Sequence, residues 1–218
     1  LEVHIQHKAA YHGVSETEAR QMITTTISER TRPQEVLLAN MAEVSRQCRG
    51  HGVALASHDD DTVDKAHLMA DLGAVISEFP VTMDAARTSV ARGMMNAMGA
   101  PNAMRGQSYS GNLSARDAHA AGLLHILAAD YHPGAILAAV RILADADPDG
   151  LAGAARLASA NPAQALGLTD RGAIAIGKKA DLFAADTQGR VCLTLRSGAV
   201  IHSNGTLDAE SPALRTVA

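Results

Sequence analysis

The apolar run Val53-Ala54-Leu55-Ala56 leads through Ser57 into His58, Asp59, Asp60 and Asp61. Unbroken apolarity over four residues is the pattern of a parallel strand covered on both faces, and ligands in α/β proteins gather where such strands end. An imidazole beside carboxylates at that place is suited to a divalent metal or to phosphate chemistry. A second reading of the same residues is structural: Asp61 or Thr62 caps the following helix, and His58 is an ordinary polar loop residue. Further along, Asp130 follows another apolar stretch, Leu123 to Ala128. It reads either as a carboxylate able to take a proton from water or as a turn residue ahead of Pro133. Between them, Arg105, Gly106, Ser108, Ser110 and Asn112 fall in a Gly-, Ser- and Asn-rich segment, Gly99 to Asn112. Arginine offers a bidentate fork to phosphate oxygens, and glycines let backbone N–H groups come close. The same composition also suits a plain solvent loop. Glu78, at the end of a third apolar run, is a site residue or a buried partner for an arginine. Tyr131 and His132 follow Asp130 and read as substrate contacts, with His132, ahead of Pro133, equally readable as an ordinary loop residue.

Elements that would position these groups alternate along the chain. Ser15-Glu-Thr-Glu18 is a capping box that starts a helix running to about Arg30. A second helix begins near Pro33, carries Val36, Leu37, Asn40, Met41 and Val44 on one face, and ends around Gly50 to Gly52. Helices are expected over Val63–Leu72, Met83–Arg92, Ser114–Ala121, Gly134–Ala146 and Leu151–Ala160. Strands are expected over Val53–Ala56, Ala74–Phe79, Met94–Met98 and Leu123–Ala128. This alternation, with the reactive groups at strand ends, is parallel α/β and barrel-like. After Gly167 the pattern becomes short strands, Ala173–Ile176, Asp181–Ala185, Val191–Arg196 and Val200–His202, in an antiparallel meander. Residues 1–14 read as polar and irregular. A metal site from His4, His7 and His12 there is disfavoured, because their spacing fits no helix face or turn.

Composition narrows the partners. The chain has 218 residues, 47% hydrophobic but 2% aromatic, so its core is aliphatic. A net charge of −4 with no basic block argues against a general nucleic-acid surface. Cys48 and Cys192 have no framework spacing, as in a reduced cytoplasmic protein. No apolar run approaches the ~18 residues of a membrane span.

Several segments taken together resemble the amidohydrolase superfamily: SHDDDT (57–62), SEFPVT (77–82), MGAPNAMRGQSYSGN (98–112), ADYHP (129–133) and NPAQALGLTDRGAIAIGKKADL (161–182). Within it they resemble the branch that hydrolyses the triphosphate of a ribose 5-triphosphate carrying a 1-methylphosphonate, releasing diphosphate in phosphonate catabolism. The resemblance implies the carboxyl-terminal part of a TIM-like (β/α)8 barrel over residues 1–167. A half β-sandwich over 168–203 and a flexible tail over 204–218 would follow. It implies a binuclear divalent metal, zinc by preference, with His58 and Asp130 as ligands and Asp130 as general base. Asp59 and Asp60 would contact substrate, and Arg105, Gly106, Ser108, Ser110 and Asn112 would bind phosphate. A phosphorylated sugar phosphonate is then the small-molecule partner, with no nucleic acid or membrane. The alternatives are a cyclic-amide hydrolase of dihydroorotase or hydantoinase type, or a catalytically silent fragment. The first-strand metal pair, the fourth-strand lysine or glutamate and the fifth-strand histidine of the superfamily have no counterpart here. A full barrel takes roughly 250 residues, so the chain is expected to be part of a longer enzyme, with dimerisation as one way to cover its sheet edge.

Overall fold

The computed structural model describes residues 2–108 and 111–207, in two compact units divided after Val44. The first unit is helical. Residues expected to be irregular form a helix, α1 (Glu2–His12), which packs on α2 (Glu16–Arg30). The correction has a clear cause: Ile5 and Ala9 of α1 close a small core with Ala19 and Ile23 of α2. Amphipathic burial outweighs the polar composition that read as loop. The Ser15 capping box is formed, with Ser15 Oγ accepting from the Glu18 amide and the Glu18 carboxylate accepting from the Ser15 amide. The Ser15 hydroxyl, 2.7 Å from the same carboxylate, and then the Ser15 amide hold the Glu18 carboxyl below its usual range. Arg20 grips Glu2 through both carboxylate oxygens, at 2.6 and 2.7 Å.

A third helix, α3 (Gln34–Gly50), follows, and it ends where expected. Its supposed apolar face is not buried, since Val36, Leu37 and Val44 are all exposed. The residue it does bury is Ser45, whose hydroxyl donates to the Leu72 carbonyl.

The second unit carries the strand–helix alternation. In chain order come β1 (Leu55–His58), α4 (Val63–Asp71), β2 (Ala74–Glu78), α5 (Met83–Ala91) and β3 (Met95–Gly99). Two short helices, α6 (Ala100–Arg105) and α7 (Ala115–Ala120), precede β4 (Ile126–Ala128), and α8 (Ala135–Ala144), α9 (Gly150–Arg156) and α10 (Ala160–Ala165) follow it. The four strands are parallel and stand side by side in chain order. The β1–β2 and β2–β3 crossovers are single βα units and the β3–β4 crossover carries two short helices, as in a segment of a (β/α) barrel. β1 lies two residues later than the apolar run suggested, because Val53 is exposed and the strand continues through Ser57 to His58. Helices α4, α5 and α7 start at threonine or serine caps, with Thr62, Thr82 and Ser114 side chains accepting from Lys65, Ala85 and Arg116 amides. Such caps are worth ~1 kcal/mol each.

The main core lies among Met98, Leu124, Leu127, Val140, Leu143 and Leu157, packed with alanines of α6, α7, α8 and α9. Among the fully buried polar groups, Asn96 in β3 donates to Ala86 and Leu123 carbonyls and so ties the sheet to the first turn of α5 and the approach to β4. His119 of α7 meets Asp147 at 3.0 Å, both nearly buried. Burial raises the Asp147 carboxyl, but the Asp149 amide, the His119 ring and Arg156 outweigh it and hold the group below its usual range.

The last section is the antiparallel meander β5 (Leu182–Ala185), β6 (Val191–Arg196) and β7 (Ala199–Ser203). Residues 173–176 do not join it; Ile174 and Ile176 are almost wholly exposed, and among the described residues no strand pairs with them. In the preceding stretch Arg171 and Lys179 draw the Asp170 carboxyl far below its usual range. Residues 208–218, the larger part of the expected tail, lie outside the described residues. Among the described residues no helix is long and apolar enough to cross a membrane.

Candidate active site

The carboxyl ends of three of the four parallel strands share one backbone device. The residue after β1, the residue after β2 and the second residue past the β4 end, Asp59, Phe79 and Asp130, have φ of 53°, 55° and 54°. Left-handed backbone is uncommon for side chains other than Gly, Asn or Asp, and it costs ~1–3 kcal/mol where the surroundings impose it. After β1 and β2 the turn lets the amide reach the next strand: Asp59 donates to the Glu78 carbonyl at 2.9 Å and Phe79 to the Ala97 carbonyl at 2.8 Å. Asp59, Phe79 and Asp130 all line one cleft of about 210 Å3, together with Gly99, Asn102, Arg105, Ser108, Asn112 and Tyr131.

Four of the residues singled out in the sequence, Asp59 for substrate and Arg105, Ser108 and Asn112 for phosphate, thus share this cleft with Asp130. The segment that bears three of them is not a uniform loop. Gly99-Ala-Pro-Asn opens α6 with Pro101 in its first turn, so Arg105 stands at the end of a helix and Gly106 is its left-handed cap. Gly106 has φ +83°, and a Cβ there would lie 3.2 Å from the Arg116 guanidinium. That guanidinium donates to the carbonyls of Ala103 and Met104, closing the helix end. Asn102 donates to the Leu113 carbonyl and accepts from the Ala115 amide, pinning both sides of the intervening loop. Arg105 Nη1 donates to Tyr131 Oη at 2.7 Å, which bridges the α6 side of the cleft to the strand end carrying Asp130. Ser110 lies outside the described residues.

His58 is exposed at the end of β1 and meets the Phe79 ring edge-on, with centroids 5.4 Å apart. Its Nδ1 is 3.2 Å from Asp59 Oδ2 and its Nε2 is 3.9 Å from Glu78 Oε2. The two carboxylates address opposite sides of the imidazole, so the three groups do not converge on one point. Among the described residues no set of three His, Cys, Asp or Glu side chains is disposed to hold a metal ion. The groups of this chain therefore do not fit a closed metal centre. Asp60 departs most from its expected role as a substrate contact. It is fully buried, and its Oδ2 accepts from Ser57 of β1 and from Ser77 of β2, the latter at 2.7 Å. Two serines one strand apart turn its side chain into the sheet and away from the cleft.

Parallel strands in chain order with their polar groups at one end define a class, and the comparison with known families agrees. The amidohydrolase family matches residues 4–209, and the chain belongs to that family. Over 148 residues, 67% of this chain, it is 46% identical to the alpha-D-ribose 1-methylphosphonate 5-triphosphate diphosphatase of Escherichia coli (strain K12). The match takes in 39% of that relative's length. Two solved structures share the fold. One is an uncharacterized protein at TM-score 0.62 and 17% identity, covering 76% of this chain and 50% of the other. The second is the N-acetyl-D-glucosamine-6-phosphate deacetylase of Mycobacterium smegmatis, at TM-score 0.55 and 21% identity, covering 76% and 51%. At these identities the likeness concerns the fold alone.

Proposed function

We propose that the chain contributes the phosphate-binding side of the active site of a hydrolase that releases diphosphate from α-D-ribose 1-methylphosphonate 5-triphosphate. The observation that carries this reading is the cleft in which Arg105, Ser108 and Asn112 face the strand-end aspartates Asp59 and Asp130. A triphosphate is a chain of anions, and a guanidinium fork with neutral donors beside it is suited to holding one. Water would add to phosphorus, the P–O–P bridge would break, and the outer two phosphates would leave as diphosphate. Asp130, exposed at the cleft, is placed to take the proton of that water. Divalent metal belongs to this proposal through the family. In a protein of the relative's length it would need ligands beyond His58 and Asp130.

The test is diphosphate release by the full-length protein from the ribose triphosphate, set against turnover of a cyclic amide. Diphosphate release that is lost in Asp130→Asn supports the reading. Turnover of the amide with none of the triphosphate would overturn it in favour of the dihydroorotase-like alternative.

A further inference from the structure

Lys65 sits in the first turn of α4, three residues after the Thr62 cap. A cation there opposes the helix dipole, which favours negative charge at that end, so its position calls for a compensating contact. The structure supplies three. Lys65 Nζ donates to the carbonyl oxygen of His58 at 2.9 Å and to that of Asp59 at 2.7 Å, and it stands 3.8 Å from Asp60 Oδ1. That Oδ1 is buried with no hydrogen-bond donor, while the companion oxygen is held by Ser57 and Ser77. The Asp60 carbonyl in turn accepts from the Val81 amide at 2.8 Å. The three residues of the turn are thus fastened to α4, to β1, to β2 and to the segment after β2, and the turn includes the left-handed Asp59.

We propose that Lys65 and Asp60 are positioning residues that hold the His58–Asp59 turn in its left-handed form and so aim both side chains at the strand ends. This rests on the reading of those ends as an active site. Neither residue touches the cleft. Two carbonyls directed at one ammonium fix the peptide planes on either side of Asp59 Cα, and those planes determine where the flanking side chains leave the backbone. The Asp60 carboxyl anchors the same turn from inside the sheet. Without Lys65 the two carbonyls would turn to water, and the left-handed turn would lose its hold on that side.

The experiment uses the 218-residue chain with Lys65→Gln, Lys65→Arg and Asp60→Asn, read by far-UV circular dichroism and by NMR of backbone amides and histidine ring nitrogens, with His58 assigned through His58→Gln. The expected result is a folded Lys65→Gln protein. In it the His58 ring signals shift and the Asp59 amide exchanges about tenfold faster, with both effects reversed in Lys65→Arg, which can still donate to two carbonyls. Asp60→Asn should disturb the same signals, and it carries the test if Lys65→Gln does not fold. Unchanged His58 and Asp59 signals in whichever of these two variants is folded would overturn the proposal. Activity of the full-length protein answers separately for the reading beneath it. Full activity in His58→Gln would remove the active-site assignment while leaving the measured positioning intact.

Discussion

The sharpest energetic prediction concerns Gly153, inside α9, where alanine normally does better than glycine by ~1 kcal/mol. A Cβ at this position would lie 1.8 Å from Asp147 Oδ1 and 2.4 Å from its Cγ, so one of the two must move. Asp147 is not free to swing away. Its Oδ2 meets His119 at 3.0 Å and its Oδ1 accepts from the Asp149 amide at 2.9 Å, in a nearly buried position. Gly153→Ala therefore loses a buried hydrogen bond, ~1–3 kcal/mol, or crowds the packing at a similar cost, against the ~1 kcal/mol helix gain. The expected net is destabilisation of up to about 2 kcal/mol. In the Asp147→Ala background the obstruction is gone, and the same substitution should stabilise by up to ~1 kcal/mol. The change of sign is read from urea denaturation of the four proteins in the cycle, followed by far-UV circular dichroism because the chain has no tryptophan. A Gly153→Ala protein as stable as its parent, or equal effects in both backgrounds, would refute the geometry from which this is reasoned.

Four other outcomes are expected. Because Asp147 is held below its usual range, its contribution is present at neutral pH and is lost as pH falls from the ordinary carboxylate range toward its depressed folded value. The stability gap between the parent and Asp147→Asn should accordingly narrow over that acid range in urea titrations at successive pH. Arg105→Met in the full-length protein should lower kcat/KM for the triphosphate ~10- to 100-fold, chiefly through KM, as loss of a hydrogen bond to a charged group; steady-state kinetics would show it. Ile5→Ala, in the small core of α1 and α2, should cost ~2–5 kcal/mol locally and release the amides of residues 2–30 to hydrogen exchange, while the strand amides of β2 and β3 stay protected. Zinc titrated into the 218-residue chain and followed calorimetrically should bind far more weakly than the ~10–16 kcal/mol of closed structural sites.

The repeating units were legible because their signals are local. Caps at Ser15, Thr62 and Ser114 and the apolar runs before Asp59 and Asp130 lie within a few residues of the structure they specify. What escaped depended on partners distant in the chain. Asp60 looked like one of three equivalent aspartates, and Ser77, 17 residues away on the next strand, joins Ser57 in making it a buried anchor. Helix α6 hid behind glycine, proline and asparagine, each of which reads as turn; Pro101 in fact suits a first helical turn, and Asn102 is spent on Leu113 and Ala115. Lys65 was overlooked although a signal existed, a cation at the wrong end of a helix dipole. The apolar face of α3 misled in the other direction, since periodicity reports what can be buried and not whether anything covers it.

Because β1 to β4 lie side by side in the order in which they are synthesised, every strand that emerges finds its neighbour already made. No strand must wait for a later one to be inserted between it and its predecessor, and each closure spans one helix or, before β4, two short ones. Short closures carry little loop entropy. The sheet can thus grow vectorially from β1 toward β4, one unit at a time, as the chain leaves the ribosome. A premature stop after β3 would leave an assembled stub rather than a tangle of mismatched strands.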